Sequence, residues 1–199
     1  MGDKLLNERE RSIFEAGELL LAERLSNNIA AIEKVCQESP EDCATAFIEA
    51  MQTLMERVTL AQTQADKGTL RYICMGFLQS GPYTGNYQIR FDAYDERLFG
   101  DLTKTYAYWS PNFIFRYMND DMAHFRKHIG QHVLRLREHE IMAFFAQHVQ
   151  HYYRIVQELV TELIKPIVAS DPSGEQELTL TFGGYMDQAV VLFETGQVE

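Results

Sequence analysis

Thr69-Leu70-Arg71-Tyr72-Ile73-Cys74-Met75-Gly76-Phe77-Leu78-Gln79 is the stretch on which the fold turns. It follows Lys67-Gly68, where a helical period breaks off, and it is rich in residues that suit a pleated sheet. Apolar side chains occupy both of its alternating faces, which predicts a central strand. Downstream, Ser80 to Asn86 is dense in turn formers, and the next run sets Tyr87, Ile89, Phe91 and Ala93 against Gln88, Arg90, Asp92 and Tyr94. That alternation predicts a second strand with one dry and one wet face. A turn over Asp95 to Asp101 leads into a third strand over Leu102 to Trp109, completing a meander within 69–109.

Upstream the period changes. From Asp3 to Glu38, Leu6, Ile13, Gly17, Leu21, Leu25 and Ile32 recur at helical spacing, which predicts one long amphipathic helix. Ser39-Pro40-Glu41-Asp42 stops it and starts another: Ser39 as cap, Pro40 in the first helical position, two acids at the positive helix end. The second helix runs to about Ala65, and the two form an antiparallel hairpin over 1–66 that belongs to the same domain.

Beyond the strands, Ser110-Pro111-Asn112 repeats the helix-start chemistry. It predicts a short helix ending at Asn119, with Asn119-Asp120-Asp121 capping a longer one. The apolar stripe shifts phase near Arg137 to Glu140, so two helices or one bent helix fill the rest of 111–168, ending close to Pro166. Ser170 to Gly174 reads as a loop, and 177–194 as a β-hairpin around Gly183-Gly184. Its last strand is apolar almost throughout, which predicts a place inside the sheet. The expected fold is therefore α+β: an antiparallel sheet of about five strands packed against long helices, with the core in 67–199.

Composition narrows the function classes. Eighteen basic residues stand against 29 acidic ones, a net charge of −11 spread along the chain. Nucleic acid and anionic membrane both require positive charge, so neither is an expected partner. No stretch approaches the run of about 18 apolar residues that a membrane span needs, and charges lie where a secretory signal would have its apolar centre. A cytoplasmic location is expected. Cys36, Cys43 and Cys74 are an odd number, which fits reduced thiols better than a disulfide framework.

The one compositional anomaly is histidine: His124, His128, His132, His139, His148 and His151 all fall within one segment. His124, His128 and His132 follow at four-residue steps, so on a helix either adjacent pair could hold one divalent transition metal. The ends of the trio lie two turns apart, and a closed site needs a ligand from another element. His148 and His151, beside Tyr152 and Tyr153, form a second cluster read as packing at a half-buried helix edge. The acids Asp92, Asp95, Glu96 and Asp101 around Arg97 lack calcium-loop spacing and read as a solvated turn. Cys74 reads as a small hydrophobe.

Aromatic residues crowd the strand region, and Tyr106 and Tyr108 oppose Trp109 across one strand. Part of this set must point away from the helices, toward a ligand cleft, a protein interface or a second helical layer. The expected function is a non-enzymatic interaction or regulatory module, homodimeric or bound to a protein partner. The rival is a metal-binding protein or metal-dependent enzyme built on His124, His128 and His132.

Overall fold

The computed structural model describes residues 8–169 and 177–195. The expected helix start over 3–7 and the loop over 170–174 lie outside the described residues. Helix α1 (Glu8–Glu38) and helix α2 (Pro40–Thr63) follow one another across Ser39, with Pro40 opening α2 as its missing N–H allows. The α1 positions Ile13, Gly17, Leu21 and Ile32 are buried. Those of α2, Phe47, Ala50, Met51, Leu54 and Val58, form one stripe against the sheet, where Phe47 meets Phe91 and Trp109 edge-on at 5.4 and 5.3 Å. Each such large apolar side chain contributes about 1.5–3 kcal/mol on burial, so this stripe binds the hairpin to the sheet. Cys36 and Cys43 are free thiols facing each other across the hairpin turn, and burial followed by the Cys43 contact pushes Cys36 up to about 12.

Strand β1 (Leu70–Phe77) is central, as its two-sided apolar character requires. A short helix α3 (Gly81–Thr84), where a turn was expected, leads to β2 (Ile89–Asp95) and then β3 (Thr105–Trp109). The sheet order is β3-β2-β1-β4-β5, with β4 over Thr179–Gly184 and β5 over Ala189–Glu194. Neighbours are antiparallel except β1 and β4, which run parallel. The fold is α+β, as expected, with that one parallel pair added.

Two expectations are corrected here. β5 does not lie inside the sheet: β4 already has β1 on one side, so a hairpin partner is left at the margin. Helix α4 (Asn112–His128) does not break at Asn119. Its buried stripe of Ile114, Phe115, Met118, Asp121 and Phe125 runs through the Asn-Asp-Asp stretch in helical register. Asp121 spends its oxygens on tertiary partners and so does not act as a cap. A 3-10 turn over Ile129–Gln131 then separates α4 from helix α5 (Glu138–Ala169). α5 passes through Pro166, whose missing N–H forgoes the bond to the Glu162 carbonyl, and the helix ends within the same turn.

The turn of acids after β2 is solvated only in part, with Glu96 exposed. Asp95 and Asp101 are buried. Asp95 accepts bonds from the Gly68 and Arg97 amides and the Arg97 guanidinium, which holds its carboxyl well below the ordinary range. Asp101 pairs with buried Lys67, whose ammonium also donates to the Ala93 carbonyl at 2.8 Å. Each charge has a partner, as a dry site demands. Among the described residues no helix is long and apolar enough to cross a membrane.

Candidate functional site

Strand alternation divides the sheet into two faces. Ile73, Met75, Phe91, Trp109, Leu180 and Phe182 are buried in the main core. The other face carries Tyr72 and Cys74 of β1, Arg90, Asp92 and Tyr94 of β2, Tyr106 and Tyr108 of β3, and Thr179 and Thr181 of β4. The cleft over this face, about 390 Å³, is lined by strands and their connections, with no α-helix contributing. Of the three destinations weighed for the aromatic residues, a covering helical layer is thus not the one seen among the described residues.

Charge on this floor is compensated. The Nε and Nη2 of Arg90 both donate to Asp92 Oδ1, at 3.0 and 2.7 Å, and the guanidinium lies 4.4 Å from the Tyr106 ring centre and 4.9 Å from that of Tyr185. Burial raises the Asp92 carboxyl although Arg90 pulls it down. Burial, then the Asp92 charge, pushes Tyr94 up to about 12, so its phenol stays a proton donor at neutral pH. Burial also raises Cys74, whose half-buried thiol faces this cleft and not the core. A neutral thiol is a poor nucleophile. The rim is apolar, with Phe99 stacked edge-on against Tyr94 and Met186 standing in the β4–β5 turn at a positive φ of 58°. Such a floor accepts a flat apolar group with one or two hydrogen-bonding atoms, or the side chains of another protein.

The cleft runs to the sheet margin at β5. Val190 and Val191 are each 55% exposed there, and Glu194 is the only charged residue of the strand. Edge strands ordinarily carry lysine, proline or a bulge that blocks further pairing. Leu180 and Thr181, adjacent on β4, face Phe193 and Val191, so Leu192 is an extra residue that bulges the outer strand near its end, while that strand has neither lysine nor proline.

The histidines distribute unevenly. His124 and His128 stand on the last turns of α4 with ring centres 4.4 Å apart. His132 lies past the 3-10 turn and is exposed, so the helical step that would place it over His128 is absent. His148, in contrast, is buried and bonded through Nε2 to Asp121 Oδ2 at 3.2 Å. Asp121 also takes the Tyr152 phenol at 2.5 Å, Arg24 Nε at 3.0 Å and Asn28 Nδ2 at 3.1 Å. Burial opposes ionisation of Asp121, but the bonds from His148, Tyr152 and Arg24 outweigh it and keep the carboxyl low. His151 is half-buried, and burial followed by the neighbouring His148 depresses it.

Sequence reasoning reached His148 and His151 but not the α1 residues around them: Glu18 beside the two histidines, and Arg24 and Asn28 on Asp121. Their only local signal is Gly17, where a Cβ would stand 2.3 Å from the Phe144 ring and which therefore marks the crossing of α1 and α5. No family model matches the chain, and no curated protein or solved structure is significantly similar to it.

Proposed function

We propose that the chain is a cytosolic interaction module that works as a homodimer joined through β5, with the aromatic sheet face presented to a partner. The observation carrying this reading is the apolar strand at the sheet edge, with Val190 and Val191 half-exposed and no lysine or proline between Ala189 and Glu194. An edge presents a row of unpaired backbone N–H and C=O groups, and the strand best matched to it is its own copy laid antiparallel across a twofold axis. Such an arrangement extends the five strands into one continuous sheet and covers the valines. It also sets two aromatic clefts in fixed relation, which favours a partner that is itself repeated or symmetric.

The charge of −11 per chain opposes association at long range. The strand itself contributes little to that repulsion, so salt screening strengthens the dimer. Sedimentation equilibrium tests the reading. The wild-type chain is expected to dimerise more tightly as salt rises, and Val191→Lys to be monomeric with unchanged circular dichroism. A wild-type chain that stays monomeric, or a Val191→Lys chain that dimerises equally well, removes it.

A further inference from the structure

Glu18 of α1 and His148 and His151 of α5 each offer one ligand atom, and these atoms lie within 4.8 Å of one another. Among the described residues they form the one group of three or more such side chains that converges in this way. The three residues differ in exposure: His148 is buried, His151 half-buried and Glu18 exposed, so the cluster opens to solvent on the α1 side.

His148 supplies a second, independent observation. Its Nε2 faces Asp121 Oδ2, and an ionised carboxylate can only accept, so Nε2 carries a proton and, in the neutral ring that binds metal, Nδ1 carries the lone pair. That Nδ1 is buried and has no hydrogen-bond partner among the described residues. A buried acceptor without a donor costs about 1–3 kcal/mol, a cost usually found where something else completes the site. Asp121 is fixed by Arg24, Asn28 and Tyr152, so the ring cannot turn to relieve Nδ1 without losing the Nε2 bond.

We infer that Glu18, His148 and His151 bind a divalent first-row transition metal ion of the zinc class, with Asp121 orienting His148 from behind. A carboxylate on the far nitrogen of a metal-ligating imidazole is the usual means of setting its tautomer and basicity. Two imidazoles and one carboxylate suit a borderline cation and leave at least one position open to water or ligand. Ligand atoms about 2.0–2.1 Å from zinc in a tetrahedron stand roughly 3.3 Å apart, so the cluster must contract by about 1.5 Å at most. Rotation of exposed Glu18 and half-buried His151 supplies that contraction while His148 stays in place. The inference stands apart from the dimer at β5.

Chelator-stripped protein is titrated with Co²⁺, read by its visible absorption, and with Zn²⁺, read by calorimetry. One ion per chain is expected. Glu18→Ala and His151→Ala should each weaken binding at least about tenfold, and Glu18→Gln, which keeps the side-chain size, should repeat the loss. His128→Ala and His132→Ala should bind as wild type does. Circular dichroism verifies that each variant is folded, which the exposure of Glu18 favours; if His151→Ala unfolds, His151→Gln replaces it. No uptake by the wild-type chain overturns the inference. So does undiminished binding in any of the Glu18 or His151 variants, or loss of the ion on replacing His128 or His132.

Discussion

Replacing Lys67 with methionine tests whether the turn after β2 is a charged keystone or only a surface loop. The Lys67 and Asp101 side chains are both fully buried, and the ammonium also donates to the Ala93 carbonyl. Removing one member of a buried pair leaves the other charge unsolvated and typically costs about 3–5 kcal/mol. Asp101 keeps two backbone donors, from Asp95 at 3.2 Å and Thr103 at 2.9 Å, with Arg97 3.9 Å away. Those contacts place Lys67→Met near the lower end, about 3 kcal/mol, still a large part of the 5–15 kcal/mol typical of a domain. Urea denaturation should show a lower midpoint at unchanged slope. Adding Asp101→Asn should recover part of the loss, because the stranded charge is gone and the amide oxygen still accepts one of the two backbone bonds, while its NH2 faces the other donor. A single-variant loss under about 1 kcal/mol, or no recovery in the pair, would refute a buried and energetically coupled ion pair.

Gly17→Ala should destabilise the chain by about 1–3 kcal/mol, because the new methyl meets the buried Phe144 ring and, at 2.9 Å, the Phe125 ring stacked on it; thermal denaturation reads this, and a neutral result would mean that α1 does not cross there. Acid should unfold the protein over a defined window. Asp95 and Asp121 have folded values below their ordinary 3.8, so their stabilisation is complete above that value and is lost as pH falls toward the depressed folded values. Asp95→Asn should flatten that limb of a circular dichroism titration, and an unchanged limb would assign acid unfolding to other groups.

Much of the fold was legible because it rests on periodicity. The two-sided run around Ile73, the alternation of Ile89, Phe91 and Ala93, and the helical stripe of α2 each express burial directly, and each element forms where its pattern lies. Legibility ended where a residue serves a distant partner. Asn119-Asp120-Asp121 carries cap chemistry, yet Asp121 is bound by Arg24 and Asn28, nearly a hundred positions away, and the helix continues through it. The place of β5 was likewise illegible: an apolar strand reads as interior, and only the parallel pairing of β1 with β4 assigns the margin to it.

The same boundary runs through the candidate sites. The surplus of aromatic residues over what one sheet face can bury was countable, so an outward-facing set was foreseeable, although not that it would surround a compensated Arg90 and Asp92 pair. Histidine spacing pointed toward metal chemistry at His124, His128 and His132, but spacing measures proximity only while the helix lasts, and α4 ends at His128. What distinguishes His148 is invisible in spacing: burial, an acceptor fixing one nitrogen, and nothing meeting the other. A histidine three residues from another is commonplace on a helix. One whose tautomer is set by a carboxylate held from α1 and α5 is constrained to present a lone pair, and that constraint, more than the number of histidines, is what makes metal binding at Glu18, His148 and His151 the chemistry to test.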